Sequence, residues 1–176
     1  MTFDFSLVKA EKLAKYHDLS QFDCEDEDIN DFIKNEALLY QEKKVANTTI
    51  FIYNEDIIGF CSIAADSLKL KVPEKIQHEV DGKPIKEFPA IKIARLGRDK
   101  KYKGLKVGEG ILKWAFGHIL ECSDMVAVRF VTLDAYPKRV QYYEDLKFIR
   151  NTHESYTGNV QNVSMRFDLF NAIPKK

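Results

Sequence analysis

The sequence lacks most of the patterns by which a chain announces its chemistry. Its three cysteines, Cys24, Cys61 and Cys122, are odd in number and far apart, which excludes a CxxC pair and a disulfide framework. Cys61 in an apolar strand and Cys122 at a helix end read as buried thiols. Four histidines (His17, His78, His118, His153) show no ligand spacing, so no metal site is expected. No stretch approaches the roughly 20 apolar residues of a membrane span, and MTFDFSLVKA has no apolar run behind a basic cap. The chain therefore reads as cytoplasmic, with no membrane attachment. Formal net charge is zero, which removes any whole-chain attraction to nucleic acid. Two phosphate motifs are also missing. No glycine precedes Lys-Ser or Lys-Thr as a P-loop requires. Gly108-Glu109-Gly110 runs on into Ile111, Leu112 and Lys113, which breaks GxGxxG.

What is present is a globular composition, 45% apolar and 31% charged over 176 residues. That length suits one domain with a sizeable core, residues 1–176, uninterrupted by linkers or repeats. Charge is unevenly placed. Lys83 to Lys113 holds ten Lys and Arg against Glu87, Asp99 and Glu109, while Asp23 to Asp31 holds six acids and no base. The basic stretch fits either a polyanionic ligand or a solvated surface of mixed sign. The acidic run has a structural explanation. Asp26 or Asp28 caps a helix carrying Ile29, Phe32, Ile33, Glu36, Ala37 and Tyr40, whose dipole favours acids on its first turn.

Alternation predicts a strand over Phe3–Lys9, and Leu13–Gln21 is ambiguous, at most one helical turn. Thr48–Tyr53 and Ile57–Ala65 form a hairpin through Asn54-Glu55-Asp56. Residues 66–87, polar and holding Pro73, Asp81-Gly82 and Pro84, read as an insertion, part helix and part loop, of a length often lid-like. An apolar β-like stretch, Ala90–Leu96, enters a basic glycine-bearing turn, Lys100–Gly110. A helix follows with Ile111, Ala115 and Ile119 on one side. Met125–Leu133 is β-prone, Pro137 starts a helix through Val140, Tyr143 and Leu146, and Phe148 restarts an extended segment. Asn151–Val160 is a polar loop, and Val163–Leu169 is a last strand. The order β, α, β, β, β, α, β, α, β, β implies an α/β (α+β) fold with a mixed sheet.

Strand, glycine turn and helix together aim backbone N–H groups at a phosphate. Lys103-Gly104-Leu105-Lys106-Val107-Gly108 resembles motif A of the GNAT N-acetyltransferase superfamily, Gln/Arg-x-x-Gly-x-Gly/Ala. Lys103 stands in the Gln/Arg place, Lys106 in the first Gly place and Gly108 in the Gly/Ala place. The upstream IARLGRD and the downstream Gln141-Tyr142-Tyr143-Glu144-Asp145-Leu146-Lys147-Phe148 are similar to the family's strand and its FYxxxGF segment, with Lys147 replacing Gly. The element order also agrees, over nearly the whole chain. Phe22-Asp23-Cys24, Ile29 to Ile33, Ala37, Gln41 and Gly59-Phe60 further resemble the group that includes toxins acetylating aminoacyl-tRNA, with Glu25 where that group has Gly.

The resemblance implies a single GNAT-like domain, its sheet of about six or seven strands splayed at the cofactor site and flanked by helices. It implies acetyl-CoA as cosubstrate and no metal. Leu96, Gly97, Arg98, Lys103, Gly104, Leu105, Lys106, Val107, Gly108, Glu109 and Gly110 would bind it, with Lys101 and Lys103 reaching toward the 3′-phosphate. An N–H at Leu96 or Gly97 would polarise the thioester carbonyl. Lys106 suits the motif if its side chain points outward, and opposes it if the position needs positive φ. Tyr143 matches the tyrosine that protonates the departing thiolate, with Tyr142 as its adjacent rival. The resemblance implies direct attack by a free amine, which leaves Cys61 and Cys122 without a nucleophilic role. Glu87, Asp134 and Glu144 are all candidate bases, and an α-amino group of pKa about 8 also deprotonates through water.

Three functions stand open at this point. They are acetylation of a small amine or peptide, acetylation of aminoacyl-tRNA by a toxin with a small antitoxin partner, and a catalytically silent acyl-CoA-binding module. Homodimers are common in the family.

Overall fold

The structure, a computed structural model, describes residues 3–82, 84–158 and 161–171. Seven strands are present among the described residues: β1 (Lys9–Lys12), β2 (Asn47–Tyr53), β3 (Asp56–Leu68), β4 (Phe88–Arg98), β5 (Phe130–Ala135), β6 (Ile149–Arg150) and β7 (Val163–Asp168). Their order in the sheet is β1-β2-β3-β4-β5-β7-β6. β1, β2 and β3 pair antiparallel, β4 and β5 run parallel, and β7 is antiparallel to both β5 and β6. The mixed sheet expected from the element order is therefore present. The helices are α1 (Glu27–Asp31), α2 (Ala37–Glu42), α3 (Val72–Gln77), α4 (Val107–Ser123), α5 (Val140–Asp145) and α6 (Glu154–Thr157). The chain divides into two compact units, Met1–Ala64 with Ile93–Ile119, and Ala65–Lys92 with Leu120–Lys176.

In the first unit, Asn54 and Glu55 both have positive φ (48° and 67°). That is the type I′ pattern whose twist suits a two-residue hairpin between β2 and β3. Asp26 is the N-cap of α1, its carboxylate accepting from Ile29 N–H at 3.2 Å, with Glu27 and Asp28 on the first turn. A π-helical segment, Phe32–Glu36, joins α1 to α2. Leu13, Phe22, Ile29, Phe32, Ile33, Ala37, Ile50 and Phe60 form its core cluster. The strand expected over Phe3–Lys9 is a 3₁₀ turn, Phe5–Leu7, followed by β1. Asp4 accepts the Ser6 N–H at 2.9 Å and closes that turn, so a local cap overrides the alternation. No helical turn forms over 13–21.

The second unit is organised around Arg166 of β7, 1% exposed. Its guanidinium donates to Glu74 Oε1 (2.8 Å), Asn151 Oδ1 (3.0 Å) and the Arg150 carbonyl (3.0 Å), and through Nε to His78 Nε2 (2.9 Å). Arginine keeps its protons, so His78 Nε2 must be the acceptor. His78 Nδ1–H then donates to Asp168 at 2.8 Å, which Arg129 also contacts at 2.9 Å. Glu74 and His78 belong to the segment 66–87. Its expected helix is α3, but Asp66 to Leu68 continue β3, and the buried pairs pin α3 rather than leave it a free lid. Lys83, Asn159 and Val160 lie outside the described residues. The strand expected from Met125 begins only at Phe130. Met125 and Val126 are exposed in the turn after α4, where β-prone side chains meet no partner strand. The polar loop 151–158 contains the single turn α6.

The chain has only eight glycines, and its left-handed positions fall mostly on other residues. Positive φ occurs at Glu25, Lys44, Asn54, Glu55, Glu79, Lys106 and Lys147, and among the glycines at Gly104. Lys44, Glu79 and Lys147 close α2, α3 and α5. In each case two N–H groups turn back, as for α5 where Phe148 N–H donates to Tyr143 O (3.0 Å) and Lys147 N–H to Glu144 O (2.9 Å). This is the Schellman arrangement, which favours Gly at that place.

Glu74 and Asp168 are both held below the usual carboxylate range. Burial pushes each up, but is outweighed for Glu74 by the N–H groups of Lys71 and Thr152 with Arg166, and for Asp168 by His78 and Arg129. Depressed pKa values confer stability that is full above the unfolded value and lost as pH falls below about 4. Arg166→Met should strand Glu74 and cost about 3–5 kcal/mol. Urea unfolding at pH 7 measures this, and Glu74→Gln in the same background should recover part of it.

Candidate active site

The turn after β4 is built on Asp99, 3% exposed. Its carboxylate accepts N–H groups of Lys101 and Asp23, both at 2.9 Å, and its own N–H donates to Ile58 O at 2.9 Å. Lys100–Tyr102 then forms a 3₁₀ turn. Close packing fixes the strand beneath it. A Cβ on Gly97 would lie 2.6 Å from the Phe60 ring, and one on Gly59 would lie 2.5 Å from Ile111. Tyr102 donates to Asp56 at 3.0 Å, and burial with that acceptor pushes its phenol up to about 12.

The N–H groups expected to face a phosphate narrow to four. Leu105 N–H donates to Tyr102 O (3.3 Å) and Gly110 N–H to Lys106 O (3.0 Å). Lys106, Val107, Gly108 and Glu109 have no backbone acceptor among the described residues, as befits a helix start. Gly104 (φ 84°) and Lys106 (φ 56°) shape the turn before them, and a Cβ on Gly108 would meet nothing within 4 Å. Gly110 instead has its Cβ position filled by the Phe5 ring. Open backbone at Gly108, four unclaimed N–H groups and a helix dipole fit a pyrophosphate. Lys106 does take the left-handed conformation, at a cost of about 1–2 kcal/mol for a side-chain-bearing residue.

The cations are largely committed. Lys100 pairs with Asp23 (2.7 Å), Lys103 with Glu25 (3.0 Å), Arg98 with Glu25 (3.7 Å) and Arg95 with Asp28 (3.7 Å). The acidic run and the basic stretch are thus partners. Lys92 is held by Asp134 and Lys113 by Glu109. Of the turn's lysines, Lys101 and Lys106 have no ion pair among the described residues. Arg98 also donates to Asp99 O at 2.6 Å, and Leu96 is half-buried in β4.

Tyr143 lies half-buried on α5, its ring edge-on to Tyr142 (5.2 Å) and Phe148 (5.7 Å), while Tyr142 is exposed. The three candidate bases all have side-chain partners. Glu144 is bound by Arg150 (2.7 Å), Asp134 by Lys92, and Glu87 by Ser67 and Lys69. The Ser67 hydroxyl, with Lys69, holds Glu87 below the usual range, which makes it a poor base. Cys61 is buried and its thiol pushed up to about 12 by that burial; Cys122 is half-buried. No group of three or more His, Cys, Asp and Glu among the described residues could hold a metal ion. No described helix is long and apolar enough to cross a membrane.

No protein-family model matches the chain. A probable toxin TacT from Sinorhizobium fredii is 28% identical over 123 residues, 67% of this chain and 66% of that toxin. The match therefore spans just under two thirds of that relative. A tRNA-acetylating toxin from Mycobacterium tuberculosis is 20% identical over 125 residues, 70% of this chain and 73% of the toxin. Among solved structures, AtaT complexed with acetyl-methionyl-tRNAfMet superposes with a TM-score of 0.81 at 20% identity, over 94% of this chain and 96% of that one. A tyrosine-to-phenylalanine mutant of AtaT, bound to the C-terminus of the antitoxin AtaR and acetyl-CoA, gives 0.73 at 18% identity, over 94% and 95%. The fold is that of the GNAT acetyltransferases, and the chain is similar to the tRNA-acetylating toxins within that fold.

Glu25, Lys106 and Lys147 each stand where the resembling motifs have glycine, and each has positive φ (64°, 56° and 71°). The backbone keeps the glycine conformation although the residue has changed. Lys147→Gly should therefore stabilise the protein by about 1 kcal/mol, raising the melting temperature by roughly 2–4 °C. Calorimetric melts at equal concentration read the shift.

Proposed function

We propose that this chain is an acetyl-CoA-dependent N-acetyltransferase whose acceptor is the α-amino group of an aminoacyl-tRNA. The observation that carries the enzyme class is the strand–turn–helix at Leu96–Gly110, with unclaimed N–H groups at Lys106, Val107, Gly108 and Glu109. The acceptor rests on the likeness to tRNA-acetylating relatives. It does not rest on charge, since Lys92, Arg95, Arg98, Lys100, Lys103 and Lys113 are all in ion pairs. A small antitoxin partner belongs to the same reading.

Acetyl-CoA supplies an acetyl group already activated as a thioester. The helix start of α4 holds the pyrophosphate, helped by Lys101 and Lys106. A backbone N–H at Leu96 or Gly97 steadies the negative charge that develops on the carbonyl oxygen. Tyr143 gives its phenolic proton to the departing thiolate, a role carried by motif register on α5. No carboxylate is assigned as base. Glu87, Asp134 and Glu144 are engaged elsewhere, and an amine of pKa about 8 releases its proton through water. Turnover should therefore rise with pH up to about 8.

The test is transfer of labelled acetyl-CoA to a panel of polyamines, amino acids, peptides and charged tRNAs. Label should appear on the aminoacyl group of tRNA. Label confined to a polyamine or free amino acid would replace the acceptor, and calorimetric binding without transfer to any acceptor would leave a silent module. Tyr143→Phe should lower turnover about 100-fold and leave acetyl-CoA affinity within about twofold, read by calorimetry.

A further inference from the structure

The turn that would take the cofactor's phosphates already holds an anion of its own. Both Glu25 carboxylate oxygens lie within 3.1 Å of Lys103 Nζ, and Oε2 lies 3.7 Å from Arg98. The arrangement is built rather than casual. Glu25 has φ 64°, and its N–H donates to Asp23 Oδ1 at 2.9 Å. That same oxygen accepts from Asn30 Nδ2 at 2.9 Å, and Asn30 Oδ1 accepts the Cys24 N–H at 2.9 Å. Asp23 is in turn fastened to the turn through Asp99 and the Lys100 N–H (2.7 Å). The loop carrying Glu25 is thus fixed on both sides, and its carboxylate is presented to Lys103, the residue directly before Gly104.

We propose that Glu25 is a specificity-determining residue, an internal anion that a ligand phosphate must displace before Lys103 can engage it. This rests on the cofactor reading above. The carboxylate carries one charge, and both partners are exposed, so the pair is weak. A phosphate group carries more charge and more acceptor oxygens and outcompetes it. A ligand lacking phosphate at this point leaves Lys103 with Glu25. Glu25 therefore weakens the binding of phosphorylated CoA thioesters and leaves that of simple pantetheine thioesters unchanged, so it sets how strongly the turn discriminates between the two.

Calorimetry of acetyl-CoA with wild type, Glu25→Gln, Lys103→Met and the double variant tests this. Glu25→Gln should tighten binding roughly three- to fivefold in low salt, and the gain should shrink in about 0.5 M salt. In the Lys103→Met background the same substitution should change nothing. Wild-type binding with no gain in Glu25→Gln would overturn the assignment alone. An equal gain in both backgrounds would also overturn it, since Glu25 would then act through its field and not by holding Lys103. Absence of binding by wild type and Glu25→Gln at millimolar acetyl-CoA would remove the cofactor reading itself, and the assignment with it.

Discussion

The carboxylate of Asp99 is the point on which the first unit turns. Buried, it needs hydrogen-bond donors to be tolerated, and it finds them in two N–H groups more than seventy residues apart in sequence, Asp23 and Lys101. With its own N–H on Ile58 O, it gathers β3, the acidic loop and the basic turn at one place. The order of the turn follows from this. So does the placement of Asp23 and Glu25, since their loop is hung from the same group. Removing Asp99 would release the backbone geometry that leaves the N–H groups of Lys106 to Glu109 unclaimed.

Two anomalies of the sequence become one feature of the fold. An acidic run near residue 25 and a basic stretch near residue 100 each invite a reading in terms of an external partner. Folded together, they largely answer each other, through Arg95–Asp28, Arg98–Glu25, Lys100–Asp23 and Lys103–Glu25. Such exposed pairs add little to stability individually. Their effect is to lower the net field at the turn, leaving Lys101 and Lys106 as its uncommitted lysines among the described residues. The capping role expected for the acids holds as well, since Asp26 caps α1.

Local patterns carried far in this chain, and long-range ones did not. The hairpin at Asn54-Glu55, the cap at Asp26, the α4 face of Ile111, Ala115 and Ile119, and the strand at Val163 all follow from periodicity and turn chemistry within a few residues. The Phe3–Lys9 strand fails because one aspartate side chain closes a turn that alternation cannot register. Met125 and Val126 fail because β propensity says nothing about whether a partner strand is present. The Glu74–Arg166–His78–Asp168 network joins residues about ninety positions apart, and no local signal announces it. In the turn after β4, the glycine-type backbone at Gly104 and Lys106 follows from local sequence, while the parts played by the two acids packed on it do not. The pairing of Glu25 with Lys103, and the anchoring of the turn by Asp99, join positions more than seventy residues apart and leave no local mark. The one hint was that the two opposite charge excesses are similar in size.

The π-helical segment Phe32–Glu36 has a consequence for how this region tolerates change in length. A π turn is an α-helix that has absorbed one extra residue. Around it Ile29, Phe32, Ile33 and Ala37, spaced i, i+3, i+4 and i+8 as on one helix face, all enter the core. Deleting a single residue within the segment would restore regular winding but rotate everything upstream by about 100° relative to α2. Ile29 would leave the core, and the Asp26 cap would move off its helix. The number of residues between Asp26 and Ala37 thus fixes which side chains of the segment face the core.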